Sequence, residues 1–206
     1  MKKSRKFIGL DLSVAKTGIA ILTVSSKSII SAKTFSVKSK PRASYSDDIA
    51  RVSSIWKEIR RTIGQTSSIL AIGIEPAINV KWSRGSSMKL IELNMVVRYE
   101  FWKLKKSLVF PAIQQAKQMV TGFGNSSKNE VQKQIESEFG VTCSNDDESD
   151  AFSFALCALV VYEAINGEGR KIVGGNMRRK NVSKATYSRF DVANRIRANK
   201  DRLINF

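Results

Sequence analysis

The sequence predicts an α/β domain built on a mixed sheet of five strands, with helices on the sheet's faces. Three features of the chain lead to this. Short β-prone apolar runs separated by turn residues open it. Later stretches repeat their apolar residues at helical spacing. Between them, Ile69-Leu70-Ala71-Ile72-Gly73-Ile74 is apolar on both faces, as a central strand covered on two sides requires.

The elements follow in order. Phe7-Ile8-Gly9-Leu10-Asp11, the run from Gly18 to Val24 and the stretch 28–37 are the first strands. Their short connections favour an antiparallel meander. Ser46-Asp47-Asp48 can cap a helix whose face is Ile49, Val52, Ile55, Trp56, Ile59 and Ile63, with Gly64 as its stop. The central strand 69–74 ends at Glu75-Pro76, residues 86–106 make a long helix of mixed faces, and 108–110 is the fifth strand. Ser127-Lys128-Asn129-Glu130 has the capping-box pattern, followed by Val131, Ile135 and Phe139 on one face. Ser144 to Asp147 opens a very apolar helix from about 148 to 166, closed by Gly167. Residues 1–167 are thus expected to form one domain. In 168–206 the apolar density drops and basic residues dominate, which suits either a solvated tail or an arm that docks on phosphates. A helix-like segment lies at 189–204.

Charge narrows the function. Thirty-five Lys and Arg against eighteen Asp and Glu give a formal net charge of +17. Such a surface condenses onto polyanions, of which nucleic acid is the usual one. No run approaches the ~20 apolar residues of a membrane span. Asp11 and Lys16 interrupt the opening apolar stretch too early for a signal peptide, so a cytoplasmic protein is expected. The chain has no histidine and two cysteines, Cys143 and Cys157. Ser-His-Asp and Cys-His nucleophiles and imidazole-bound zinc are therefore excluded. Catalysis has to run on carboxylates, lysines, hydroxyls or metal ions.

Certain acids stand where chemistry can use them. Asp11 and Glu75 end apolar strands, and Asp147 and Asp150 lie three positions apart at the start of the last helix, on one face. Each has an ordinary explanation as a turn former or cap. As a set, they can converge above the sheet, where their repulsion calls for a cation. Hard oxygen donors suit Mg²⁺, with Mn²⁺ as the alternative. Two such ions about 3.5–4 Å apart can hydrolyse a phosphodiester without any histidine. Asp146 and Glu148 read as cap and surface residues.

Four blocks carry a resemblance that spans about Lys6 to Leu159. They are Phe-Ile-Gly-Leu-Asp-Leu-Ser with Thr17-Gly18, Ile-Gly-Ile-Glu at 72–75, Ala116-Lys117-Gln118 through Gly122-Phe123-Gly124 to Lys128 and Val131, and Asp147-Glu148-Ser149-Asp150-Ala151. In these the chain resembles the RuvC-type Holliday junction resolvases, in a divergent viral branch. The third block is the most specific. The resemblance implies a ribonuclease-H-like fold and a metal-dependent endonuclease for branched DNA, acting as a homodimer, in a bacterial host cell if viral. It places the metal-binding acids on Asp11, Glu75, Asp147 and Asp150, and basic residues near the scissile phosphate on Lys117 and Lys128. The helix at 86–106, with Met88, Ile91, Met95, Val96, Tyr99 and Trp102, is the expected subunit contact, unless that surface packs on its own sheet.

The departures are local. The family's Pro-Gly after the first acid is Leu12-Ser13 here, and no aromatic closely follows Glu75. Ile78 can wedge but not stack, and Trp82 could substitute for the missing ring. With Lys81 and Arg84 these residues form the expected DNA-binding loop. A broader taste for branched DNA follows, from four-way junctions to three-way forks. Two other readings stay open: a nuclease for structured RNA, and a branch-binding protein that does not cut.

Overall fold

The computed structural model describes residues 4–25, 29–39, 45–77, 86–166, 176–178, 186–198 and 203–204. Strand β1 (Arg5–Asp11) pairs antiparallel with β2 (Lys16–Val24), which pairs antiparallel with β3 (Ile29–Lys38). Helix α1 (Tyr45–Ile63) then leads to β4 (Ile69–Ile74), which lies parallel to β1. Helix α2 (Ser86–Lys103) returns the chain to β5 (Ser107–Val109), parallel to β4. Three helices follow: α3 (Ile113–Thr121), α4 (Lys128–Phe139) and α5 (Asp146–Ile165). Beyond them lie the short hairpin strands β6 (Asn176–Arg178) and β7 (Thr186–Ser188), helix α6 (Arg189–Ala198) and β8 (Leu203–Ile204).

The meander, the central strand and the mixed sheet are as the sequence predicts. The strand count is not. β8 pairs antiparallel with β5, so the order is β3-β2-β1-β4-β5-β8 and the sheet has six strands. The two residues of β8 are too few to show a period, and their pairing is fixed by where α6 delivers them. Helix α3 is likewise absent from the sequence reading. Its N-cap, Ala112, has no side-chain bond to offer, and only Ala116, Met119 and Val120 are buried.

Helices cover both faces. On one side, Val52, Ile55, Ile59 and Ile63 of α1 and Leu93, Val97 and Phe101 of α2 pack on Ile8, Leu10, Ile72 and Ile74. Ile49 is the exception on the predicted stripe, since it is exposed. On the other side lies α5, buried along nearly its whole length. It reaches the sheet this closely because glycines face it: a Cβ on Gly9 would stand 1.8 Å from the Ala151 carbonyl oxygen, and one on Gly73 2.1 Å from that of Phe154. Gly9 and Gly73 are register partners on β1 and β4, so they form one shallow track under the helix.

Helix α6 joins this second layer, with Val192, Ala193 and Ile196 buried in its core. Its first residue, Arg189, is 1% exposed. The guanidinium donates to the Met119 carbonyl at 2.8 Å and to Glu138 at 2.6 Å, and lies over the Phe139 ring. It therefore caps the end of α3 and ties it to α4.

Candidate metal and phosphate site

Strand direction puts the first two acids side by side. β1 and β4 run parallel with Leu10 opposite Ile74, and the Glu75 N–H donates to the Leu10 carbonyl at 3.4 Å. Asp11 and Glu75 therefore leave the same end of the sheet. The Asn94 amide of α2 holds the Glu75 carbonyl at 3.0 Å, which fixes this exit. Helix α5 brings its N-terminus to the same end. Gly18, opposite Asp11 in register, lies so close to α5 that a Cβ would meet the Asp147 carbonyl oxygen at 2.0 Å.

Asp11, Glu75 and Asp150 all have raised pKa values. Burial pushes the Asp11 carboxyl up to about 8, helped by the charges of Asp150, Glu75 and Asp147 and opposed by Lys128. Glu75 is raised by burial and by Asp150, against a hydrogen bond from Asp11 and the charge of Lys128. Asp150 is raised by burial, while Lys128 and Lys117 pull it down. Burial is the largest cause at each of the three, and neighbouring acids add to it.

Asp147 stands apart from the other three. Its carboxylate is held at 2.9 Å by Lys16, the first residue of β2. Among the described residues, no three acidic or cysteine side chains are gathered to hold a metal ion in this arrangement. Asp11, Glu75, Asp147 and Asp150 are the groups that could hold a divalent cation.

The two lysines named from the sequence arrive from α3 and α4. Thr121, Gly122, Phe123 and Gly124 form the turn between these helices. Gly122 caps α3 in the left-handed region at φ 81°, and Gly124 has its would-be Cβ 3.0 Å from the Gln114 carbonyl. The Thr121 hydroxyl donates to the Lys117 carbonyl, and Lys117 Nζ donates to the Ser126 carbonyl, each at 2.9 Å. Ser127 and Glu130 then cap α4 reciprocally, as the sequence indicates. Lys128, in the first turn, pairs with Asp146 at 2.9 Å, and Gln132 donates to the same acid at 3.1 Å. The most specific sequence block is thus a turn with two ammonium groups, held by the Ser126 carbonyl and Asp146, whose charges reach Asp150.

Other expectations fare differently. Ile78, Lys81, Trp82 and Arg84 lie outside the described residues. Glu148 is not a surface residue but 6% exposed, bonded by Thr34, Ser36, Asn145 and the Ser144 N–H. Helix α2 packs on its own sheet with a different set of residues from the apolar surface named in the sequence. Leu93, Val97 and Phe101 pack inward, while Met88, Met95, Val96, Tyr99 and Trp102 are exposed. Lys16 and Asn94, which contact Asp147 and the Glu75 carbonyl, are not singled out by the sequence. For Lys16 a signal was present: it precedes Thr17-Gly18 at the start of the strand that returns from Asp11.

No protein-family model and no curated protein matches the chain. Solved structures do. The Thermus thermophilus RuvC structure aligns with a TM-score of 0.61 and 19% identity, over 78% of this chain and 95% of that one. The T. thermophilus RuvC in complex with Holliday junction substrate aligns with a TM-score of 0.60 and 16% identity, over 79% and 96%. At such identities the likeness is one of fold. The chain has the ribonuclease-H-like architecture, with six strands in place of the expected five. No described helix is long and apolar enough to cross a membrane.

Proposed function

We propose that the chain is a metal-dependent endonuclease that cuts branched DNA, Holliday junctions among them, and works as a homodimer. The observation that carries this is that the ends of β1 and β4 and the N-terminus of α5 bring Asp11, Glu75 and Asp150, with raised pKa values, to one end of the sheet in a protein of net charge +17. Converged, partly buried carboxylates are unfavourable by themselves and favourable around a cation. The donor set of hard oxygens fits Mg²⁺ or Mn²⁺. Bound there, such an ion would supply acidification of a water and stabilisation of the leaving oxygen of a phosphodiester.

The remaining roles belong to the chain itself. Lys117 and Lys128 place ammonium groups beside Asp150, where they hold a phosphate and offset its developing charge. The exposed face of α2 is the surface offered to a second copy, with Tyr99 and Trp102 stacked at 6.1 Å between ring centres. Residues 168–206, besides supplying α6 to the core and β8 to the sheet, give further phosphate contacts. Ile78, Lys81, Trp82 and Arg84 complete the DNA-binding loop. Without an aromatic directly after Glu75, forks are cut as well as four-way junctions. The viral branch and a place in the bacterial cytoplasm belong to the same reading.

The test is cleavage of labelled four-way junctions, three-way forks and matched RNA junctions in Mg²⁺. The native chain is expected to nick the DNA junction in symmetric pairs and to cut forks. Asp11→Asn and Asp147→Asn should bind the junction yet cut it slower by on the order of 1000-fold. Tight binding without any cut, in Mg²⁺ or Mn²⁺, would make the chain a branch-binding module. Preference for the RNA junction would move the substrate class.

A further inference from the structure

We propose that Lys16 is a third basic residue of this site: it holds Asp147 until a divalent cation claims that carboxylate, and then turns to a phosphate of the DNA. The inference rests on the nuclease reading above and deepens it.

The geometry begins with a fixed backbone. Thr17 Oγ1 donates to the Ser13 carbonyl at 2.8 Å, and Ser13 Oγ accepts from the N–H groups of Ala15 at 3.3 Å and Lys16 at 3.5 Å. From outside the turn, Ser39 N–H bonds the Ala15 carbonyl at 3.0 Å and Arg51 the Val14 carbonyl at 2.8 Å. Gly18 then seats the strand against the Asp147 backbone, closer than any side chain would allow. Both ends of the Lys16–Asp147 pair are thus anchored to parts that cannot drift. Only the side chains are free to change partner, and they are about a third exposed, at 30% and 31%.

Charge decides which partner wins. An ammonium satisfies one carboxylate through hydrogen bonds. A divalent ion bonds oxygens from several acids at once and answers the repulsion among Asp11, Glu75 and Asp150. Asp147 is the less tightly held of the two acids that precede Glu148, with Lys16 against it, whereas Asp146 is held by both Lys128 and Gln132. When Asp147 turns inward, Lys16 is left as a point charge at the site. A lysine in that position suits a phosphate oxygen. It approaches from β2, whereas Lys117 and Lys128 approach from α3 and α4, so the substrate backbone is gripped from separate elements.

The two halves of the proposal predict opposite changes in one variant. Lys16→Met removes a competitor for Asp147. Mn²⁺ alone, titrated calorimetrically into the full chain without DNA, should bind about two- to fivefold tighter, the strength of a part-exposed ion pair. The same variant should bind a four-way junction more weakly, with Ca²⁺ replacing Mg²⁺ to slow cutting. Its salt slope should be shallower by about 1, because one phosphate fewer is neutralised. Lys16→Arg should restore both values. Lys38→Met, which removes an exposed charge opposite Lys16 in register, should leave Mn²⁺ affinity unchanged.

Unchanged Mn²⁺ affinity in Lys16→Met overturns the competition, and tighter Mn²⁺ with an unchanged salt slope overturns the phosphate-binding half. If the native chain binds Mn²⁺ no better than Asp11→Asn, the metal-site reading fails, and this inference falls with it.

Discussion

Two regions of the molecule hold carboxylates from the same turn of α5 in opposite ways. Where α5 meets β3, Glu148 is buried and surrounded by donors: Thr34 at 2.8 Å, Ser36 at 3.0 Å, Asn145 at 3.1 Å and the Ser144 N–H at 3.0 Å. Burial raises its pKa, but these bonds outweigh burial and hold it below the usual value. Two positions on, where α5 meets the ends of β1 and β4, Asp150 is held up by burial, and the charges of Lys128 and Lys117 do not bring it back down. The first arrangement joins a helix to a sheet. The second gives a part-buried carboxylate only those two lysine charges, which do not offset its burial. Satisfaction, rather than burial or sequence position, separates a carboxylate that builds the fold from one kept for a ligand.

That contrast can be broken with substitutions, in order of expected size. Glu148→Ala should destabilise the protein most, by about 3 kcal/mol, since it strands several buried donors at once. Chemical denaturation measures it, and a loss below about 1 kcal/mol would mean that the seam does not depend on this acid. Asp150→Asn should do the reverse and raise the Tm of the cation-free protein near neutral pH, because it removes a charge the site disfavours; a lower Tm would place Asp150 with Glu148. Asp146→Asn is the smallest. Its pair with Lys128 is about half exposed on both sides, 47% and 55%, so the change should stay within about 0.5 kcal/mol.

Sequence reasoning reached the acids for a physical reason. Asp11 and Glu75 terminate apolar runs, and parallel neighbouring strands put such ends together wherever the sheet lies. The central strand is legible from its unbroken apolar run, and the covering helix α1 from the spacing of its apolar residues. What escaped depends on close tertiary approach. Glu148 looks like a surface acid until Thr34 and Ser36 of β3 are known to face it, more than a hundred residues away in sequence. The Lys16–Asp147 pair exists because Gly18 lets β2 touch α5. Helix α3 carries no capping side chain at Ala112, so local signals are silent there, and its end is held by Arg189 from α6.

The central claim is that Asp11 and its neighbours are strained in the absence of a cation and relieved by one. Its most direct test is Tm against pH, with and without Mg²⁺, for the native chain and Asp11→Asn. The Asp11 carboxyl is raised from 3.8 to about 8 in the folded protein. Between those values the folded chain binds a proton that the unfolded chain has lost, so stability falls as pH rises and levels off above about 8. The account predicts that fall for the cation-free native protein, a shallower one for Asp11→Asn, and recovery by Mg²⁺ at high pH in the native chain alone. Parallel profiles for the two proteins, with Mg²⁺ changing neither, would contradict it.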